Sequence, residues 1–304
     1  VTIETKISVV TVCKNAAPFI RACIESVVFQ PYPNIEYIII DGGSTDGTLD
    51  IINEYKNRIT HLISEKDGSP NEALNKGFKL ATGDILCWLN SDDQFWPDAL
   101  NLVAKVFEDM SEVKWITGFP TWYTADGGFV NEPYIQDKIM FHSLLHDGLY
   151  KKFYRWSQVK VLSGDYLSIQ QESVFWKRDL WEKAGGNVSE SGISFDFELW
   201  LRFFQFESLY SVPVPLSGFR VRNNQISSNH ERYVAECNEL IRQYFAKQSI
   251  FKWLYFSIRS MFLKILKPFY LFDIPLLRTC YVYLANLSPL LIYNEQKYRF
   301  EFES

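Results

Sequence analysis

Asp92 and Asp93 stand side by side just after an apolar run, Ile85 to Leu89, and the polar pair Asn90 and Ser91. Adjacent carboxylates repel, and burial raises the pKa of at least one unless a cation or hydrogen-bond donors compensate. A positive partner is therefore expected there. Asp41 ends another apolar run and opens the loop DGGSTDGT (41 to 48), whose glycines allow close approach of a ligand and whose Ser44 or Thr45 can cap the following helix. That loop has neither the GK-Ser/Thr ending of a P-loop nor GxGxxG spacing. Asp67 lies in SEKDGS, and Asp196 opens SFDFELWLR, where a helix macrodipole favours a carboxylate. Glu198 points elsewhere on such a helix, since i and i+2 share no face. His142 and His146 have the i, i+4 spacing of helical zinc ligands, with Asp147 adjacent, but no HExxH, cysteine or third histidine accompanies them. They read as a solvent-facing or aromatic-packed pair.

These residues need elements to gather them. The runs at 7 to 12, 35 to 41, 60 to 65 and 85 to 89 are β-rich, and 18 to 30, 45 to 55 and 70 to 81 have helical periodicity. Continuous β-branched strands alternating with amphipathic helices predict a mostly parallel sheet covered on both faces, with ligands at the carboxyl ends of its strands. Asp41, Asp67 and the 90 to 93 cluster would then share one edge. Another strand is expected at 113 to 119, helices at 179 to 184 and 194 to 205, and a C-terminal extension from about residue 230.

Composition narrows the classes. The 304 residues are 47% apolar and carry a net charge of −5, enough for a large core and contrary to a grip on nucleic acid. Five cysteines without a CxxC pair, with Cys13 and Cys87 in strand-like runs, read as reduced core residues of a cytosolic protein. No signal peptide is visible and no apolar run approaches the roughly 20 residues of a spanning helix, so a soluble or peripheral cytoplasmic protein is expected.

The motifs SVVTVCKNA, IIIDGGSTDGT, ALNKGFKLATGD, WLNSDD, QQESVFWKRDLWEKAGG and FDFELWLR stand in an order that resembles the family 2 glycosyltransferases of the GT-A fold, especially those of bacterial surface-polysaccharide (O-antigen type) synthesis. The resemblance covers residues 6 to 228. It implies a Rossmann-like, mostly parallel α/β sheet sandwiched by helices, with a nucleotide-sugar half over 1 to 118, an acceptor half over 119 to 229 and a helical extension over 230 to 304. NSD occupies the place of the family's DxD motif, which makes Asp92 the Mg²⁺ or Mn²⁺ ligand, with Asn90 and Ser91 beside it and Asn90 in place of the common Asp. Val12, Asn15, Asp41, Asp67 and Asn75, with Gly77 nearby, match the nucleotide pocket, Asp41 reading a uracil-type base. Lys14 stands where many relatives carry a stacking Tyr. Asp196 matches the base that takes the proton of the acceptor hydroxyl in an inverting displacement, although Phe195 replaces the acid that often precedes it. Arg220 matches an arginine near the diphosphate, and Arg222 replaces the usual His as a fixed charge. Gln171 and Trp181 match positions beside the acceptor.

The implied function is metal-dependent, inverting transfer of a hexosyl or N-acetylhexosaminyl group from a UDP-linked donor to a saccharide or lipid-linked saccharide. A decayed nucleotide-sugar-binding protein on the same fold is the alternative. In the extension, residues 245 to 292 hold Lys247, Lys252, Arg259, Lys264, Lys267 and Arg278 against the single acid Asp273. A helix over 249 to 266 would carry a basic stripe beside a broad apolar surface. This is the profile of a helix at an anionic membrane interface, or else of one packed on the catalytic domain or a second subunit.

Overall fold

The structure is a computed structural model, and it describes residues 5–124, 155–164, 169–222, 225, 229–271, 275–294 and 296–303. The His142, His146 and Asp147 group lies outside the described residues. Twelve strands are described: β1 (Ile7–Cys13), β2 (Ile35–Asp41), β3 (His61–Ser64), β4 (Ile85–Trp88), β5 (Gln94–Phe95), β6 (Trp115–Thr117), β7 (Trp122–Tyr123), β8 (Val174–Lys177), β9 (Tyr210–Ser211), β10 (Ser217–Arg220), β11 (Leu291–Asn294) and β12 (Arg299–Phe302). The helices are α1 (Ile20–Val28), α2 (Thr48–Glu54), α3 (Pro70–Leu80), α4 (Ala99–Asp109), α5 (Gln158–Leu162), α6 (Arg178–Lys183), α7 (Phe195–Phe203), α8 (His230–Ala246), α9 (Ile250–Leu271) and α10 (Pro275–Ala285).

The main sheet runs β3-β2-β1-β4-β8-β6-β9. Its first four strands are parallel, and β8 is antiparallel to both neighbours. Strand alternation divides each run between two cores: Val10, Ile38, Leu86 and Trp88 face one, while Val9, Ile39, Cys87 and Leu89 face the other. The first core is covered by α3, α6 and α7 and is built around Trp88, Trp115, Trp176 and Trp200, with Trp88 and Trp200 stacked 5.8 Å apart. The second is covered by α1 and α4. Helix α3 lies so close to β1 that a Cβ on Gly77 would come within 2.4 Å of Val10 Cγ1.

The expected α2 start is displaced. Its N-cap is Gly47, at φ 92°, because the Ser44 hydroxyl is already held by Asp41. Asp46 serves the helix entrance instead, accepting from the Thr48 N–H at 3.1 Å and its hydroxyl at 2.5 Å. The extension is helical from His230 but ends in the β11–β12 hairpin, whose Leu291 and Phe300 are buried in the second core. Asp109 on α4 accepts from the Phe300 N–H at 2.7 Å, and Ser211 of β9 bridges to Leu290. Cys13, Cys23, Cys87 and Cys237 are buried free thiols, whereas Cys280 is exposed. Among the described residues no helix is long and apolar enough to cross a membrane.

Candidate active site

The carboxyl ends of β1, β2 and β4 deliver the predicted residues to one edge. Asp41, fully buried, is in register with Cys13 across β1 and β2. Its carboxylate accepts from the Ser44 N–H and hydroxyl and from the Ser64 hydroxyl at 2.7 Å. Asn15, at φ 52°, ties the first motif to the same loop, donating its N–H to Ser44 Oγ at 2.8 Å and accepting from the Thr45 N–H at 2.9 Å. Val12 packs against the first core. Asp67 pairs with Lys76, which also reaches Glu65 at 2.8 Å, and Asp67 Oδ2 is buried without a partner among the described residues.

Asn75 is engaged elsewhere. Its amide grips the backbone of Val188, donating to the carbonyl at 3.1 Å and accepting from the N–H at 2.9 Å. Asn71, one turn earlier, donates to the Ser189 carbonyl at 2.8 Å. Helix α3 thus fastens the segment that leads into α7, a task unforeseen for Asn75. Trp181 is buried against Phe78, 4.6 Å between centroids, so packing accounts for it.

The two adjacent carboxylates meet different fates. Asp92 Oδ2 accepts from Arg222 Nε at 2.6 Å and from Gln225 at 3.4 Å. Asp93 is buried; it accepts from the Arg220 N–H at 2.9 Å and from Asn90 Nδ2 at 3.1 Å, and caps no helix. Burial, then Glu172 and Asp92, hold its carboxyl well above the usual carboxylate range. Arg220 binds the Asp92 carbonyl through Nε at 2.7 Å, and both arginines lie over the ring of Phe19, at 5.5 and 5.3 Å. Asn90 also donates to Gln171 Oε1 at 2.9 Å, and Gln171 in turn binds the Trp88 carbonyl at 2.7 Å. Ser91 is half-buried at the tip of the turn.

The short 3-10 turn Gln171–Ser173 introduces a residue that the motifs left unassigned. Glu172 is buried, and its Oε1 has no hydrogen-bond partner among the described residues. Burial, with the charges of Asp92 and Asp196, pushes its carboxyl up to about 8. Beyond it, Asp196 stands in the first turn of α7 and accepts from the Tyr233 hydroxyl at 3.2 Å through each oxygen. Burial raises its carboxyl to about 6, while the Phe197 N–H and Tyr233 pull it back. Glu198 is paired with Arg202 at 2.8 Å. Sequence reasoning missed Glu172, Phe19 and Tyr233. QQES does place a carboxylate beside a matched Gln, but nothing local reveals that it is buried between two other acids.

A hard divalent cation wants oxygen donors. Asp92 offers one carboxylate with Oδ1 unbonded among the described residues, beside two further buried acids whose raised pKa values show that a nearby cation would be favourable. The residues therefore fit such an ion through Asp92, completed by donor phosphates and water, although no group of three acidic, His or Cys side chains is preassembled among the described residues.

Residues 8–134 match the family model described as Glycosyl transferase family 2. An uncharacterized glycosyltransferase of Rickettsia prowazekii, RP339, is 25% identical over 248 residues, which cover 77% of this chain and 70% of that protein. The putative teichuronic acid biosynthesis glycosyltransferase TuaG of Bacillus subtilis is 34% identical over 116 residues, 37% of this chain and 46% of TuaG. Among solved structures, the mannosyltransferase PcManGT of Pyrobaculum calidifontis, in complex with GDP-Man and Mn²⁺, superposes with a TM-score of 0.58 at 17% identity, over 82% of this chain and 66% of that one. The N-terminal part of the chain thus matches the family 2 glycosyltransferases, on the GT-A fold shared with its structural neighbours.

Proposed function

We propose that this protein transfers a hexosyl or N-acetylhexosaminyl group, with inversion, from a UDP-linked donor to a hydroxyl of a saccharide or lipid-linked saccharide in the synthesis of a cell-surface polysaccharide. The observation that carries the reading is the hydrogen bond from Asn90, in the turn that holds Asp92, to Gln171 beside the buried Glu172. It brings the 90–93 turn against the 171–173 turn, with the Glu172 carboxyl raised by burial and by both Asp92 and Asp196. In this reading Asp41 and Asn15 shape the base and ribose pocket, with Val12, Asp67 and Asn75 behind it. Asn90, Ser91 and Asp92 face the diphosphate, and Arg220 and Arg222 hold positive charge beside it. A Mg²⁺ or Mn²⁺ ion held by Asp92 would neutralise charge on the departing nucleotide diphosphate. Asp196 takes the acceptor's proton, a task suited to a carboxylate that titrates near 6 and is ionised at neutral pH. TuaG's role and the GDP-Man and Mn²⁺ bound by PcManGT support the class of reaction.

The test is release of free nucleotide from a panel of UDP-, GDP- and dTDP-sugars with and without Mn²⁺. Metal-dependent hydrolysis of one donor is expected. Tight donor binding without turnover, in the presence of candidate acceptors, would favour the decayed binding protein.

A second reading concerns location. Helix α9 leaves Ile250, Phe251, Trp253, Leu254, Met261 and Ile265 exposed, while Phe256 and Leu263 face the core. Lys247 and Lys264 are exposed beside them. Arg259 leaves the expected basic stripe, because its Nε donates to the Leu284 carbonyl at 2.7 Å. Apolar and aromatic exposure flanked by lysines supports peripheral docking on an anionic membrane, which would hold the active site near a lipid-linked acceptor; contact with a second copy is the competing occupant. Co-sedimentation with phosphatidylglycerol vesicles at low salt, lost at high salt and in Phe251→Glu/Met261→Glu, is expected. Deleting the extension is a poor test, since it would strip Leu291 and Phe300 from the core.

A further inference from the structure

The first turn of α7 carries Asp196, and α8 grips that turn at two points. Tyr233, half-buried, donates its hydroxyl to both Asp196 oxygens at 3.2 Å. Three residues on, and so on the same face of the helix, Glu236 accepts through Oε2 from the Ile193 N–H at 2.7 Å, the Ser194 N–H at 3.1 Å and the Ser194 hydroxyl at 3.1 Å. Ser194 gives α7 no side-chain cap of its own. A carboxylate from another helix thus satisfies the N–H groups leading into α7. Arg232 holds the second Glu236 oxygen at 2.9 Å. Burial would raise the Glu236 carboxyl, but the bonds from Ile193, Arg232 and Ser194 outweigh it and hold it below its ordinary value.

We propose that α8 is a positioning element for the base candidate: Tyr233 orients Asp196 and holds it in its proton-accepting form, and Glu236 fixes the turn that carries it. The inference rests on Asp196 having the role proposed above. A hydroxyl that donates to a carboxylate stabilises the charged form, and without it burial acts with less opposition. Among the described residues, the ionisable groups around Asp196 are Tyr233 and, next to it, Cys237 on α8, Glu172 on the 171–173 turn, and Glu198 on its own helix, which is paired with Arg202. Of these, Tyr233 hydrogen-bonds the Asp196 side chain.

The experiment uses full-length protein labelled with ¹³C at aspartate carboxyls, with the Asp196 signal identified by its loss in Asp196→Asn. In Tyr233→Phe the titration midpoint of that signal should rise by about one pH unit. Its acid limb in kcat/KM, read with UDP-glucose and UDP-N-acetylglucosamine as donor probes, should rise with it, costing roughly fivefold near pH 6, approaching tenfold below pH 5, and little above pH 8. A midpoint that stays in place or falls, even with a lowered Tm, makes Tyr233 a packing residue and overturns its part of the proposal. Glu236→Ala should lower both Tm and kcat, and Glu236→Gln, which keeps an acceptor oxygen, should recover most of the loss; equal losses in the two overturn the role of Glu236. If Asp196→Asn keeps the parent rate, the base assignment fails, while the carboxyl midpoints still decide whether Tyr233 controls Asp196.

Discussion

Glu172→Gln should stabilise the protein, and increasingly so as pH rises. In the unfolded chain this glutamate titrates near its ordinary value of 4.5, whereas in the folded protein burial, Asp92 and Asp196 push it to about 8. Between those values the folded state holds a proton that the unfolded state has lost. Stability therefore falls by roughly 1.4 kcal/mol per pH unit across that window, and the cost is absent below it and constant above it. At pH 7 the wild-type carboxyl costs roughly 3 kcal/mol, the order of a 5 °C shift in Tm for a chain of this size. A glutamine removes that dependence. Its amide hydrogens add an offset set by how they fit beside the orphaned Oε1, but the offset does not vary with pH. Thermal unfolding of both proteins from pH 5 to 8.5, without metal or nucleotide, gives the comparison. The Tm difference should grow with pH and level off near pH 8. A difference flat across the whole range would mean that Glu172 is ionised in the folded state or reaches water, and the account of the cleft's charge would be wrong.

Asp92→Asn should abolish metal-dependent turnover while leaving the fold intact, a loss of several kcal/mol in transition-state stabilisation that is read from rates with and without Mn²⁺. Near-parent rates would remove Asp92 from the metal. Asp196→Asn should keep nucleotide affinity by calorimetry and lose 10²- to 10⁴-fold in turnover, the usual cost of removing a general base. Gly77→Ala should destabilise by roughly 1–3 kcal/mol in denaturant, because the new methyl group meets Val10 at 2.4 Å where α3 crosses β1. An unchanged midpoint would show that the helix can shift at no cost.

The parallel core was legible because its strands are continuous β-branched runs, which only a sheet buried on both faces explains. The expected strand at 35 to 41 is β2 as it stands, and the helix expected at 70 to 81 is α3 to within one residue. That Asp41 and the 90 to 93 cluster share one edge was legible for a related reason: the carboxyl ends of parallel strands gather on one side, whatever lies between them in sequence. The hairpin formed by LIYN and RFEF was missed, because the connecting EQKY holds no glycine, proline, asparagine or aspartate to mark a turn. Tyr233 and Glu236 could not be read at all. On α8 they look like ordinary residues of a charged helix, and their partners on α7 lie about 40 residues away, so only packing reveals them.

The carboxylate pair at the end of β4 raises the demand for a positive partner, and the protein meets it in two ways. For Asp92 the partner is Arg222, which is permanently charged and sits on one oxygen only. For Asp93 no cation is paired among the described residues: two hydrogen bonds and a raised pKa let it sit buried beside its neighbour, neutral when protonated. Repulsion within the pair is thereby relieved without a metal, and the edge keeps its shape before any ligand arrives. The same arrangement leaves Asp92 as the adaptable member, since its guanidinium partner lies on a side chain about one-third exposed while Asp93 is locked to the backbone of β10. If the proposed dication and donor diphosphate bind at Asp92, they would bring both the charge that Asp92 needs and an anion for Arg222. The rearrangement would be one side chain turning from a carboxylate to a phosphate.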